Sequence, residues 1–205
     1  MTTWRIHVEK WKDCKLCPLH QQRDNIVFAR AGVVGGPSTG EQLPCPVLFI
    51  GEAPGASEDA LGLPFVGPAG DLLQQIIERA LPTGTAYALT NLVCCYPRDA
   101  KARGDNEPEH GEIEACRPRL TEFVSVARPK LVVFVGTLAE SYGPWAVAPG
   151  TTRAGGAVEG HQTLRRWTSI VHPAHILARL PLAQKHMAIN KSIVVIRGAY
   201  ENMLQ

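Results

Sequence analysis

The chain has 205 residues, 45% of them hydrophobic and 20% charged, with 21 Lys and Arg against 19 Asp and Glu for a formal charge of +2. That composition excludes collagen-like, fibrous and wholly disordered chains, and the length suits a single domain, 1–205, with one sizeable core. The longest apolar runs, Val47 to Ile50 and Leu131 to Val135, fall far short of the ~20 residues of a membrane span, and the first dozen residues are polar, so a cytoplasmic protein is expected.

Residues 1–20 read as an N-terminal arm that ends in Cys14-Lys15-Leu16-Cys17-Pro18, and residues 30–46, rich in Gly, Pro, Ser and Thr, read as an exposed connection. Val47 to Ile50 is a continuous apolar run closing on Gly51, the pattern of a strand covered on both faces. Ala69, Leu72, Leu73, Ile76, Ile77 and Ala80 recur at helical spacing. The alternation then repeats. A strand is expected over 88–93 and a helix over about 109–127, with Asn106 as a candidate cap, Pro108 in its first turn, and Ile113, Cys116, Leu120, Val124 and Ala127 on one face. Further on come a strand over 130–135, a short helix from Thr137, a strand over 167–171 and a final amphipathic helix over 182–204. Repeated strand–helix units imply a three-layer α/β/α sandwich with a central, mainly parallel four-stranded sheet.

Six cysteines in a chain read as intracellular point to metal or thiol chemistry rather than disulfides. Cys14 and Cys17 form a C-x2-C pair, and Cys94 or Cys95 together with Cys116 would complete four thiolates for zinc or an iron–sulfur cluster. The plainer reading leaves Cys116 as a small buried residue on an apolar helix face, with Cys45 incidental between two prolines.

In parallel sheets, ligands bind beyond the carboxyl ends of the strands, so the loops that start there carry the chemistry. Gly51-Glu52-Ala53-Pro54-Gly55 lets a ligand approach the backbone, though the same letters also suit an ordinary turn. Phe65 supplies an aromatic ring in that connection, and Asn91 ends the next strand with an amide that both donates and accepts, as reading a pyrimidine edge requires. His172 follows the last strand, placed to donate to an oxyanion or to shuttle a proton.

In this order the motifs resemble the family 4 uracil-DNA glycosylases, the iron–sulfur branch of the uracil-DNA glycosylase superfamily. The resemblance rests on C-x2-C-P-L from Cys14, G-E-A-P-G with Glu58-Asp59 from Gly51, P-F-V-G-x-A-G from Pro64, T-N-x-V-x-C from Thr90, A-C-R-P from Ala115, R-P-K from Arg128 and H-P at His172, covering most of residues 14–180. It implies a [4Fe-4S] cluster on Cys14, Cys17, Cys95 and Cys116, a structural staple rather than a redox catalyst. It further implies that Phe65 stacks on a flipped uracil, Asn91 bonds its polar edge and His172 donates to uracil O2. Gly51, Glu52 and Ala53 would line the pocket, with Glu52 beside His172 in the catalytic pair. Ala174 to Arg179 would fill the gap left by the base, with Arg179 near backbone phosphates.

The expected partner is uracil-containing DNA, single- or double-stranded, bound by a monomer. Arg98, Lys101 and Arg103 are candidate phosphate contacts, although a solvated charged loop reads equally well there. Two competing readings keep the fold: a non-catalytic module that binds uracil-containing DNA, and a glycosylase for other deaminated bases. A third, from another class, is a zinc-stabilised nucleic-acid adaptor.

Overall fold

Side chains of the run Val47-Leu48-Phe49-Ile50 leave the strand alternately on opposite faces. In the computed structural model, which describes residues 3–36, 43–98, 107–147 and 166–205, both faces are covered. Five strands form the sheet: β1 (Ala29–Val33), β2 (Val47–Gly51), β3 (Ala86–Asn91), β4 (Leu131–Val135) and β5 (Trp167–Ile170), in the order β1-β3-β2-β4-β5. The last four in sequence are mutually parallel, and β1 runs antiparallel to β3 at the edge.

Around the sheet lie α1 (Trp4–Trp11), α2 (Ala56–Leu61), α3 (Pro68–Ala80), α4 (His110–Ala127), α5 (Thr137–Val147), α6 (Pro173–Arg179) and α7 (Leu182–Leu204). Leu48 and Ile50 face one core with Val132, Phe134, the Ile113–Leu120–Phe123 stripe of α4 and Ala139 of α5. Val47 and Phe49 face the other, with Leu73, Ile76 and Ile77 of α3, Ile176 of α6, and Ile193 and Ile196 of α7. The three layers and the mainly parallel sheet therefore match the sequence expectation, and both cores follow from the two-residue period of buried strands.

The sequence reading differs from the structure in several places. The sheet has a fifth strand, β1, within a stretch largely read as a connection, and the N-terminal arm contains a helix packed on α4. β3 starts and ends two residues earlier than expected. The start of α4 is capped by Glu109, whose N–H donates to Glu112 at 2.8 Å, while Asn106 lies outside the described residues. Phe123 rather than Val124 fills the core face of that helix. No helix among the described residues is long and apolar enough to cross a membrane.

Candidate active site

Parallel crossovers bring the carboxyl ends of β2, β3, β4 and β5 to one edge of the sheet. There Gly51 of β2 pairs in register with Asn91 of β3. A Cβ built on Gly51 would lie 2.5 Å from Asn91 Oδ1 and 2.6 Å from Phe65 Cζ. The amide and the ring thus meet over the one residue type that leaves room for both. The backbone of this corner is closed by Leu92 N–H donating to Gly51 O at 2.9 Å and Val93 N–H to Glu52 O at 3.2 Å.

Phe65 reaches this position through a left-handed backbone, φ 55°, which a bulky residue adopts only when its surroundings impose it. Four contacts do so. Its carbonyl accepts from Arg30 Nη2 of β1 at 3.0 Å, and the next two amides, Val66 and Gly67, donate to Glu58 Oε1 at 3.0 and 3.1 Å. The other Glu58 oxygen accepts from Gly55 N–H at 3.1 Å, and Gly70 lies so close beneath that a Cβ there would be 2.0 Å from Phe65 O. One carboxylate therefore ties the first loop to the loop that carries the ring.

His172 caps α6, its Nδ1 accepting from Ala174 N–H at 3.2 Å. A neutral imidazole in that bond carries its proton on Nε2, which is left as a donor. Burial lowers its pKa, opposed by the charge of Glu58 and aided by His175, so the neutral form prevails at pH 7. The ring stands against Gly136 at the end of β4, where a Cβ would be 3.1 Å from His172 Cβ. A cavity of about 420 Å³ opens beside it, lined in part by Thr137, Ser169, His175 and Lys191. Glu52 is half-buried, and burial, then the charge of Glu107, pushes its carboxyl up to about 7. Ala53 beside it is also half-buried.

The structure thus brings Phe65, Asn91 and Gly51 into contact and sets Glu52 and His172 on the same sheet edge. Arg179 is exposed in the last turn of α6. Arg98, a candidate phosphate contact, pairs with Asp24 at 3.0 Å and Asp59 at 3.2 Å while staying half-exposed, and Lys101 and Arg103 lie outside the described residues. Glu58, Arg30 and Asp59 were not singled out for these roles by the sequence. Fully buried Asp59 accepts from the amides of Asp24 and Asn25 and anchors α2. The signal for Glu58 was its place in the first turn of a helix that starts just beyond a glycine-rich strand end.

Cys94, Cys95 and Cys116 are buried in the core beneath α4, Cys17 packs against that core, and Cys14 is half-buried. Cys94 Sγ lies 3.7 Å from Cys116 Sγ, and Arg23 bridges Cys95 Sγ at 2.9 Å and the Cys14 carbonyl at 2.8 Å. The Cys17 thiol is pushed up to about 11, chiefly by burial and further by Cys95 and Cys116. Cys116 is drawn down by its bond with Cys94, against its burial and with help from Arg119, and Cys94 moves up. Among the described residues no three or more His, Cys, Asp or Glu side chains stand close enough to hold a metal ion. The donor chemistry nonetheless suits a thiolate-ligated cluster, because soft ligands of the β3–α4 connection and of α4 meet at Cys94 and Cys116 and a guanidinium donates to the Cys95 sulfur.

The sequence profile of the Uracil DNA glycosylase superfamily matches residues 37–191. The chain belongs to this superfamily. Among relatives, it is 36% identical over 138 residues to a type-4 uracil-DNA glycosylase of Pyrobaculum aerophilum, covering 67% of this chain and 62% of that protein. It is 37% identical over 131 residues to that of Sulfurisphaera tokodaii, covering 63% and 52%, and 37% identical over 132 residues to that of Saccharolobus solfataricus, covering 64% and 54%. The chain spans less than two thirds of the length of each of these relatives.

Proposed function

We propose that the chain is a type-4 uracil-DNA glycosylase, which flips uracil out of DNA and hydrolyses its N-glycosidic bond to leave an abasic site. The observation that carries the reading is the corner where the Phe65 ring and the Asn91 amide pack over Gly51, with a neutral, Nε2-protonated His172 on the same edge. Breaking the bond leaves electron density on the departing base and a deficit on the deoxyribose. Phe65 stacks on the base, Asn91 pairs with its edge, and the His172 Nε2–H donates to O2 as negative charge builds there. Glu52 supplies an acidic group where the sugar becomes electron-poor.

Extruding the base costs a few kcal/mol, and α6, with Leu177 exposed ahead of Arg179, fills the gap beside the phosphates. Cys14, Cys17, Cys95 and Cys116 would hold a [4Fe-4S] cluster, which supplies a structural crosslink between the N-terminal arm, the β3–α4 connection and α4. Cys95 rather than Cys94 is taken as the third ligand, by the likeness of Thr90 to Cys95 to the family's T-N-x-V-x-C motif. The protein acts as a monomer on DNA in the cytoplasm.

Incubation with a uracil-containing oligonucleotide, followed by alkali to cut abasic sites, tests the reading. Wild type should cleave, and His172→Ala should lose on the order of 10²–10³ in kcat, as when one oxyanion donor is removed. Asn91→Ala should lose activity as well. Binding without cleavage by wild type would move the chain to the non-catalytic reading.

A further inference from the structure

Arg119 is the largest fully buried side chain of the molecule's described residues, a whole guanidinium at 1% exposure on the core face of α4. A charge taken out of water is tolerated only where it is hydrogen-bonded and compensated. Its bonds go to one place: Nη1 donates to Thr90 Oγ1 at 3.2 Å, and Nη2 donates to Asn91 O at 2.8 Å and to Leu92 O at 3.2 Å. Thr90 in turn donates to Phe28 O at 2.8 Å. These acceptors are the last two residues of β3 and the first beyond it, the stretch that aims the Asn91 amide. Its Nε has no hydrogen-bond partner, and Cys116 lies one turn earlier on the same helix.

We propose that Arg119 is a positioning residue that fixes the Thr90–Leu92 backbone, and so the Asn91 amide. The base-reading corner and the helix that carries Cys116 are then joined through a single side chain. This rests on the proposed reading in so far as Asn91 reads the base. Arginine is required because the three acceptors diverge from one another, and only a planar fork reaches all of them. A lysine at 119 would keep the charge but lose the simultaneous contacts. A methionine would leave the Asn91 and Leu92 carbonyls without their donor.

Arg119→Lys, Arg119→Met and the milder Thr90→Val, which deletes one acceptor, provide the test on the full-length protein. Four readouts are compared: excision kinetics, inhibition by free uracil, iron per chain from visible absorbance, and amide exchange by peptide. In Arg119→Lys, kcat/KM should fall on the order of 10²-fold, the loss expected from misplacing a reacting constellation by about 1 Å. Free uracil should inhibit more weakly, affinity for undamaged DNA should stay unchanged, and faster exchange should be confined to residues 90–94. Arg119→Met should also lose iron faster than Arg119→Lys. Uracil inhibition and 90–94 exchange equal to wild type in the Lys variant would overturn the proposal. So would exchange raised evenly over the whole chain, which marks a merely structural role. If the Met variant does not fold, the Lys and Thr90→Val proteins decide. Should wild type release no uracil, the glycosylase reading falls while the exchange arm still decides on Arg119.

Discussion

Gly51 has no side chain to lose, and that is its contribution. Any Cβ at this position meets Asn91 Oδ1 at 2.5 Å and Phe65 Cζ at 2.6 Å, and neither neighbour can retreat freely. Asn91 is 3% exposed with its backbone held by Arg119, and Phe65 is pinned at φ 55° by Arg30, Glu58 and Gly70. Gly51→Ala should therefore push apart the two groups proposed to grip the base while the strand itself persists. We expect a loss on the order of 10²-fold in excision, as for misplacement of a reacting geometry, with an unchanged circular dichroism spectrum. Turnover at the wild-type rate in the alanine protein would show that ring and amide do not act together. At this scale the sequence marked Gly51, Asn91 and His172 by the strands they follow and Phe65 by its place in the first connection, each of them on its own also readable as a turn or core residue. It was silent on Arg30 and Arg119, which act on backbone carbonyls 35 and 28 residues away. The one trace of Arg119 was a charged residue sharing a helix face with Cys116, Leu120 and Phe123.

Buried parallel strands show themselves in sequence because both faces must be apolar, and β2 and β4 accordingly stand out. β1 does not. Its letters, Ala-Arg-Ala-Gly-Val, alternate only weakly because the apolar positions are mostly small alanines, and the strand serves ladder bonds to β3 and the reach of Arg30 to Phe65. α2 was equally hidden, being six residues between glycines, yet its Glu58 is what joins two loops. Three amides converge on that carboxylate, and a glutamine can offer only one of its two atoms as acceptor. Glu58→Gln should turn an amide NH2 against a backbone N–H and release either Gly55 or the Val66–Gly67 pair. The expected cost is roughly 1–3 kcal/mol for a donor left unpaired, read as a fall in Tm together with faster exchange over residues 62–68. The same change removes the negative charge that raises the pKa of His172, so the imidazole stays neutral and the loss of activity should come from the Phe65 loop. A variant with wild-type exchange in that loop would deny Glu58 its linking role.

The molecule is closed on the cysteine side by α1, and the seam contains a titratable group. His7 is fully buried, ringed by Trp4, Phe28 and Phe123, with Nδ1 bonded to Glu122 at 3.2 Å and Nε2 without a partner. Burial, and next the charge of Arg119, lowers its pKa from 6.5 to about 4, despite Glu122. The unfolded chain therefore takes up a proton at His7 below about pH 6.5 while the folded chain resists until about pH 4. Across that window the unfolded state binds more protons, so stability is full above it and declines as the pH falls. The decline is on the order of 3 kcal/mol, which for a chain of this size is roughly 10 °C in Tm. Glu52 acts with the opposite sign, because its carboxyl is raised to about 7 and acidification from there relieves the folded state. The two are separated by comparing wild type with His7→Phe, which fills the aromatic pocket but cannot titrate. Thermal melts at steps between pH 7.5 and 4 should show a steeper acid loss in wild type than in the variant, the difference confined to the window between 6.5 and 4. Parallel curves would mean that His7 is as easily protonated in the folded protein as in the unfolded one, leaving the Lys10–Glu122 ion pair and apolar contacts to hold α1 to α4.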